Sequence, residues 1–228
     1  MKGLVKLEEE TKKTPKVKIC GITSEQEASY LNEAKADYAG FVFYPNSRRN
    51  VSLEQSVRIA DCLDSSILKV AVTVNPAAEF VQKTKEMGFD ILQVHGAYSK
   101  EARSAAELPV WRAVNIRDED ALAEFFREEQ KLGNGNICGY VADGADYGAG
   151  KAFDWEKMNR CIKKYTAGKQ FILAGGLTAE NVKTGIQYFH PDIVDVSSGV
   201  EEQGKKSMEK IKAFIRKVRE HEQESILR

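Results

Sequence analysis

The sequence predicts an α/β protein built as a single (β/α)8 TIM barrel, and three observations lead to that fold class. Short apolar runs that favour β-strands alternate with longer amphipathic segments from residue 16 onward. About eight such strand–helix pairs fit into 228 residues, a length near the roughly 250 residues usual for these barrels. No stretch rich in Pro, Gly and Ser divides the chain. We therefore expect one catalytic domain over 16–228, preceded by a flexible extension over 1–15.

Several of the candidate strands are almost continuously apolar, which is typical of parallel strands covered on both faces. The candidate strands are 16–20, 38–43, 68–74, 90–94, 109–115, 137–142, 170–174 and 192–197. Helical patterns separate them, at about 24–36, 52–63, 76–87, 98–107, 118–131, 154–165, 178–188 and 206–220. Four of the helices begin at a residue suited to capping, namely Ser24, Ser52, Asp118 and Thr178. An open, doubly wound sheet is the structural alternative, because βα alternation alone does not choose between the two.

Charge and cysteine content exclude several classes of function. The 34 basic and 34 acidic residues give a formal net charge of zero, so no overall field favours nucleic acid or an acidic membrane. Cys20, Cys62, Cys138 and Cys161 form no C-x-x-C or Cys/His cluster, so we expect neither disulfides nor a metal site. The charged segment 1–14 resembles neither a signal peptide nor a membrane span. These features predict a cytoplasmic protein that binds a small charged metabolite, and a closed barrel without sheet edges predicts a monomer.

In a barrel of this kind, function is located at the C-terminal ends of the strands, where the βα loops lie. This rule selects the residues that directly end or follow the predicted strands. They are Cys20-Gly21, Tyr44 to Arg49, Asn75, His95-Gly96, Asn115, Asp143, Gly175-Gly176 and Ser197-Ser198-Gly199.

Two of these loops predict a phosphate site. The loops after strands seven and eight are the usual place for phosphate in such barrels. Gly175 and Gly176 allow the backbone to approach an anion because no Cβ intervenes. Ser197 and Ser198 can add hydroxyl donors, and Gly199 again leaves space. Either loop alone could be a simple turn, but the two together at the expected positions favour phosphate binding.

Three residues are candidates for proton transfer. Cys20 ends the first strand, where a thiolate could act as a general base; its alternative role is that of a small buried apolar residue. Asp143 ends the sixth strand and could act as a general acid if burial raises its pKa, or it could simply stabilise a turn. Asp146, in the glycine-rich loop that follows, is the alternative acid.

Other strand-end residues suggest binding or structural roles. Arg49 and Arg48 follow the second strand in PNSRRN, where a guanidinium could bind a carboxylate through two hydrogen bonds. His95 ends the fourth strand, and we interpret it as a structural histidine, with Gln93 as an inward-facing polar residue.

At these positions the sequence closely resembles the phosphoribosylanthranilate isomerase family. The pairing of KICGIT with DVSSGVE is specific to that family rather than general to barrels, and the similarity covers nearly the whole chain beyond the extension. The matching segments are VKICGIT at 17–23, GFVFYPNSRRNVS at 40–52, VAVTVN at 70–75, LQVHG at 92–96, GKAFDW at 150–155, LAGGLTAENV at 173–182 and VDVSSGVE at 194–201.

The resemblance implies an activity and assigns roles. The reaction would be the Amadori rearrangement of N-(5-phosphoribosyl)anthranilate in tryptophan biosynthesis, without metal or organic cofactor. Cys20 would remove the C2 proton of the sugar, Asp143 would protonate the ring oxygen, and Arg49 would bind the anthranilate end. The phosphate loops would be those of Gly176, Ser197, Ser198 and Gly199.

Two other functions remain as alternatives at this point. Another phosphate-binding barrel enzyme would need a catalytic lysine and glutamate at inward strand ends, or metal-binding histidines, and the sequence has only three histidines. A catalytically silent sugar-phosphate-binding protein would retain Cys20 and Asp143 only by coincidence, and fold alone does not exclude it.

Overall fold

The computed structural model describes residues 14–115, 119–133, 136–143 and 155–226; within the last range, only the backbone is described for 155–158, 160, 161 and 221–226. In these residues, eight parallel strands alternate with eight α-helices. The strands are β1 Lys16–Cys20, β2 Tyr38–Phe43, β3 Leu68–Val74, β4 Ile91–His95, β5 Val110–Asn115, β6 Ile137–Asp143, β7 Gln170–Ala174 and β8 Ile193–Val196. The helices are α1 Glu25–Ala34, α2 Leu53–Ala60, α3 Ala78–Glu86, α4 Lys100–Ala105, α5 Glu119–Leu132, α6 Trp155–Thr166, α7 Val182–Phe189 and α8 Met208–Ile226.

The eight strands form a closed parallel barrel in sequence order, with β8 pairing to β1. The predicted (β/α)8 barrel is therefore confirmed, and the open sheet is excluded. Closure depends on the pairing of the first and last strands, in which Lys18 of β1 lies beside Asp195 of β8. On the other side of β1, Cys20 lies beside Gly40 of β2.

Two separate cores form because successive residues of a strand point to opposite faces. One core fills the space between the barrel and the surrounding helices and includes Ile19, Phe41 and Leu92. The other fills the barrel interior, with Trp111 and Ile172 completely buried. The predicted inward position of Gln93 is confirmed, since it lines a cavity at the C-terminal mouth of the barrel.

Hydrogen bonds that cap the helix N-termini fix the conformation of the loops after the strands. Ser24 accepts a hydrogen bond from the Glu27 amide at 3.2 Å, while the Glu27 carboxylate accepts one from the Thr23 amide at 2.6 Å. This reciprocal arrangement fixes the loop after Cys20. Ser52 caps α2 in the same way, through the Gln55 amide. Both predicted caps are confirmed.

Other predicted boundaries differ from the structure. Thr178 does not cap α7, which begins at Val182 after Asn181. Instead, the Thr178 amide donates to the Asn181 side chain at 2.8 Å, so Thr178 starts a turn that precedes the helix. Asp118 and Asp146, as well as residues 1–13 of the predicted extension, lie outside the described residues.

A short segment between β8 and α8 was not predicted. It contains a one-turn 3-10 helix, Ser198–Val200, followed by an antiparallel hairpin of β9 Glu201–Glu202 and β10 Lys205–Lys206. Among the helices described, none has both the length and the apolar character that crossing a membrane would require.

Candidate active site

A cavity of about 340 Å³ opens at the C-terminal ends of the barrel strands. It is lined by seven of the eight residues proposed from the sequence, which are Cys20, Arg49, Asp143, Gly175, Gly176, Ser197 and Ser198. The eighth, Gly199, is not part of the lining. The structure thus brings the predicted base, acid, carboxylate-binding and phosphate-binding residues to a single cavity.

Two glycines make room around Cys20. A Cβ on Gly40 would lie only 2.9 Å from the Cys20 Sγ atom. Gly21 has a φ of +81°, and a Cβ there would lie 2.3 Å from Cδ of Arg49. The Arg49 side chain therefore crosses directly over the residue that follows Cys20. Burial raises the pKa of the Cys20 thiol, whereas the positive charge of Lys18 acts to lower it.

A buried ion pair lies beneath Cys20. The Lys18 Nζ atom donates to Asp195 Oδ2 at 2.7 Å, and the Lys18 side chain is completely buried. Burial alone would lower the pKa of Lys18, but the adjacent Asp195 carboxylate raises it, so the ammonium form is retained. Asp195 lines the cavity, and within the described part of the chain its buried Oδ1 atom has no hydrogen-bond partner.

Asp143 is the last residue of β6, and β7 and β8 separate it from β1 around the barrel. Burial and the nearby negative charge of Asp195 raise the pKa of its carboxyl group above the ordinary value, and Lys18 opposes this. A carboxyl group whose pKa is raised holds its proton more readily near neutral pH, as a general acid requires.

Arg49 is held by a carboxylate that sequence reasoning did not identify. Its Nε and Nη2 atoms donate to Glu201 Oε1 at 2.6 Å and Oε2 at 2.9 Å. Glu201 also accepts from Arg48 at 2.7 Å and from Lys206 at 2.8 Å. Burial would raise the pKa of Glu201, but hydrogen bonds from Arg49 and Lys206 lower it to about 2. Glu201 is therefore ionised throughout the neutral range.

The two predicted phosphate loops meet at the cavity. Gly175 and Gly176 have φ values of +86° and +60°, which a side chain would make unfavourable. Asn181 fixes this loop by donating to the Gly176 carbonyl at 2.9 Å. Gly199 contacts the same loop from behind, since a Cβ there would lie 1.9 Å from the Leu177 carbonyl oxygen. Gly199 thus allows the two loops to approach each other, rather than leaving space in the cavity itself.

Ser197 has a different hydrogen bond from the one expected. Its hydroxyl group donates to the Cys20 carbonyl at 2.9 Å and so connects the end of β8 to the end of β1. Lys206 donates to the Ser197 carbonyl at 3.0 Å from behind. The hydroxyl proton of Ser197 is therefore already used, and Ser198 is the serine of this loop whose hydroxyl remains a candidate donor to phosphate.

His95, which we interpreted from the sequence as a structural histidine, also lines the cavity. Its Nε2 atom lies 2.8 Å from the Gln93 side-chain nitrogen. Burial and the positive charges of Lys18 and Arg112 lower its pKa to about 4. The ring is neutral at pH 7, and a neutral Nε2 can accept the Gln93 amide proton.

Comparison with known proteins identifies the family. The family model described as N-(5'phosphoribosyl)anthranilate (PRA) isomerase matches residues 17–217. The chain belongs to this family. The N-(5'-phosphoribosyl)anthranilate isomerase of Clostridium kluyveri is 44% identical over 207 residues, covering 90% of this chain and 98% of that protein. The Clostridium acetobutylicum enzyme of the same name is 39% identical over 213 residues, with the same coverage.

Solved structures agree with this assignment. The Thermotoga maritima phosphoribosyl anthranilate isomerase superposes with a TM-score of 0.77 at 33% identity, over 90% of this chain and 99% of that one. A structure of a phosphoribosyl anthranilate isomerase bound to reduced 1-(o-carboxyphenylamino)-1-deoxyribulose 5-phosphate gives a TM-score of 0.75 at 33% identity, with the same coverage. The isomerase predicted from the sequence is confirmed at the level of family and enzyme class.

Four charged residues that sequence reasoning missed lie in or around the cavity of this phosphoribosylanthranilate isomerase family member. They are Lys18, Asp195, Glu201 and Lys206. Lys18 and Asp195 lie inside apolar strands, so a search restricted to strand ends passes over them. The available signal was alternation, because a charged residue two positions before Cys20 must share its inward face. Among the residues that the structure describes, no group of three or more His, Cys, Asp or Glu side chains is arranged to hold a metal ion.

Proposed function

We propose that the chain converts N-(5-phosphoribosyl)anthranilate to 1-(2-carboxyphenylamino)-1-deoxyribulose 5-phosphate, with Asp143 as general acid and Cys20 as general base. The observation that carries this assignment is that both residues line one cavity from different strands, together with Arg49 and two glycine loops. The substrate has a carboxylate at one end and a phosphate at the other. The cavity offers a matching group for each end and a proton-transfer group for each chemical step.

The first step opens the furanose ring. Asp143 donates its proton to the ring oxygen, the bond between that oxygen and C1 breaks, and the anthranilate nitrogen forms a double bond to C1. The raised pKa of Asp143 supports this role because it makes the protonated, proton-donating form more accessible than it is for an ordinary aspartate. Its position at the end of β6, across the cavity from β1, separates it from the base.

The second step removes the proton from C2. The Cys20 thiolate takes that proton, and the electrons of the C–H bond form a C1–C2 double bond while the iminium nitrogen regains its lone pair. The resulting enolamine becomes the ketone product when C1 gains a proton and the C2 hydroxyl loses one. No atom is gained or lost overall, as an isomerisation requires.

Binding of the two ends orients the substrate for both steps. Arg49, fixed by Glu201, is proposed to bind the anthranilate carboxylate with its remaining N–H groups. The backbone of Gly175 and Gly176, together with Ser198, is proposed to bind the phosphate. Such positioning is worth more than affinity alone, because it places C2 beside the base and the ring oxygen beside the acid.

The test is a comparison of Cys20→Ser and Asp143→Asn with the wild type. Each change keeps approximate size but removes a proton-transfer group, so kcat should fall about 10²–10⁴-fold. Product affinity should change much less. The assay follows the loss of substrate fluorescence as phosphoribosylanthranilate is generated in situ, with the spontaneous rate subtracted.

Cys62→Ser and Asp61→Asn provide matched controls, since both residues are exposed and lie outside the cavity lining. They should leave kcat unchanged. A silent sugar-phosphate-binding protein would bind the product but show no rate above the spontaneous one. A wild-type rate for Cys20→Ser would overturn its assignment as the base.

We also propose that the protein acts in the cytoplasm and as a monomer, in keeping with the charge balance of the sequence and the closed barrel. A Thermotoga maritima relative that is 34% identical has been described as a dimeric enzyme from which monomers were generated. Sedimentation equilibrium over a wide concentration range tests the monomer directly, and a mass of twice 25.5 kDa would contradict it.

A further inference from the structure

We propose that Lys18 is a positioning residue that stabilises the thiolate of Cys20 for proton abstraction, and that Asp195 both holds Lys18 and limits its effect. This inference rests on the proposed role of Cys20 as the general base. It adds a specific requirement, namely that the base is poised by a buried ion pair in the barrel interior.

The geometry places the two side chains together. Lys18 and Cys20 are two residues apart on β1, so both point into the barrel. They meet above Gly40, since a Cβ on that residue would lie 2.9 Å from Cys20 Sγ and 3.2 Å from Lys18 Cε. Gly40 thus provides the space that lets the lysine chain pass beside the thiol.

The ion pair is difficult to explain by stability alone. Lys18 is 0% exposed and Asp195 is 7% exposed, and they pair at 2.7 Å across the junction of β1 and β8. Removing two charges from water costs about as much as their attraction returns, and apolar residues of similar volume often stabilise a core at least as well. The barrel interior also contains a cluster of buried apolar side chains, among them Trp111 and Ile172, so a barrel interior does not need charge in order to pack.

The chemistry of the site supplies a reason for the pair. Burial makes the Cys20 thiol a poorer source of thiolate, and a nearby ammonium group acts in the opposite direction. The Asp195 carboxylate opposes the lysine, so the two charges together set the proton affinity of the thiol.

Other charged groups also face this part of the cavity. Lys206 of β10 and Arg49 of the loop after β2 are both paired with Glu201, which reduces their effect on the thiol. Asp143 of β6 and His95 of β4 line the same cavity from other strands, and His95 is neutral at pH 7. Lys18 is therefore the cation of the barrel interior whose removal should change the thiol most.

The experiment titrates Cys20 by following the ultraviolet absorbance of its thiolate as the pH is raised. The absorbance of the same protein carrying Cys20→Ser is subtracted, so that only the signal of Cys20 remains. Lys18→Met should raise the apparent pKa of Cys20 by about 1–3 pH units, the usual effect of losing an adjacent opposite charge. Lys18→Arg should remain near the wild type because it keeps the charge. Asp195→Asn should shift the pKa in the opposite direction, downward.

A double variant controls for the effect of an unpaired buried charge on folding. Lys18→Met leaves a buried carboxylate unpaired, so Lys18→Met/Asp195→Asn is measured as well. Because the lysine has the larger effect on the thiol, the double variant should still titrate above the wild type, by less than Lys18→Met alone. A double variant that titrates like the wild type, or two single variants that shift in the same direction, would overturn the proposal.

Kinetics connects the titration to catalysis. In Lys18→Met, the pH at which kcat/KM reaches half of its maximum should increase by the same amount as the pKa of Cys20. At a fixed pH below that midpoint, kcat/KM should fall about tenfold for every pH unit by which the pKa increases. If Lys18 had a purely structural role, Lys18→Met would lower kcat/KM without shifting the midpoint of its pH profile. The titration itself needs no substrate, so it tests Lys18 separately; an active Cys20→Ser enzyme would refute the proposed function and leave the titration result standing.

Discussion

The clearest pH effect on stability is expected from His95. In the folded protein, burial and the positive charges of Lys18 and Arg112 lower its pKa to about 4, against an ordinary value of 6.5. Protonation would turn Nε2 into a donor facing the Gln93 amide nitrogen at 2.8 Å and would add a third positive charge to this region. The folded state therefore disfavours the imidazolium form, whereas the unfolded chain accepts it freely.

The direction and size of the effect follow from linkage. Because the folded pKa is depressed, the unfolded state binds more protons between pH 6.5 and about 4, so the stability falls as the pH decreases through that window. Below pH 4 His95 contributes no further loss. A difference of about 2.5 between the two pKa values, at 1.36 kcal/mol for each pH unit, gives about 3 kcal/mol. This is an upper figure, since His95 lines a cavity open to water, which screens charge.

The assay is urea unfolding of the wild type and of His95→Gln at pH 7.5, 6, 5 and 4. Carboxylates contribute to the pH dependence of both proteins, so the difference between the two isolates His95. The wild type should lose up to about 3 kcal/mol more than His95→Gln between the highest and lowest pH. Equal losses in the two proteins, or an imidazole that titrates near 6.5 by nuclear magnetic resonance, would refute the reasoning.

Three further predictions concern the groups around the cavity. Arg49→Ala should raise KM about 10- to 100-fold, because a charge-assisted hydrogen bond to the substrate is lost. Arg48→Ala is the control: its side chain is 62% exposed and lies outside the cavity lining, so steady-state kinetics should be nearly unchanged. Glu201→Gln should lower the free energy of unfolding by about 3 kcal/mol, because Lys206 is left buried without its carboxylate. In a denaturation experiment, the double variant Glu201→Gln/Lys206→Met should be more stable than Glu201→Gln alone. Gly199→Ala should weaken binding of inorganic phosphate measured by calorimetry, since its Cβ would force the two glycine loops apart; unchanged affinity would separate Gly199 from the phosphate site.

Much of the fold could be predicted because the signals are local. Most of the barrel strands are largely apolar segments of four to seven residues, and β1, β2 and β3 begin and end where the pattern indicated. The candidate site residues were selected by one general rule, that function lies at the C-terminal ends of barrel strands. That rule selected Cys20 and Asp143, which end β1 and β6, but it did not distinguish a catalytic from a structural role, and the proposed roles came from the family resemblance.

Other features depend on contacts that the local sequence does not encode. Lys18 and Asp195 are separated by 177 positions and become neighbours only when β8 closes onto β1. Alternation within KVKIC places Lys18 on the same face as Cys20, but it does not indicate that Asp195 is the partner of Lys18. The start of α7 was misplaced for a different, local reason: Thr178 has a side chain suited to capping, but it lies in a turn in which its amide donates to Asn181, and the helix begins only after Asn181.

Glu201 and Lys206, which sequence reasoning did not identify, also connect distant parts of the candidate site. Arg49 donates to Glu201, Lys206 donates to both Glu201 and Ser197, and Ser197 donates to the carbonyl of Cys20. This continuous series of hydrogen bonds joins the proposed carboxylate-binding residue to the backbone of the proposed base, through the hairpin that follows β8. Substitutions along it share partners, so their effects on turnover should not add. The hairpin Glu201–Lys206 therefore helps to fix the position of Arg49 relative to Cys20, although it belongs to neither β1 nor β6.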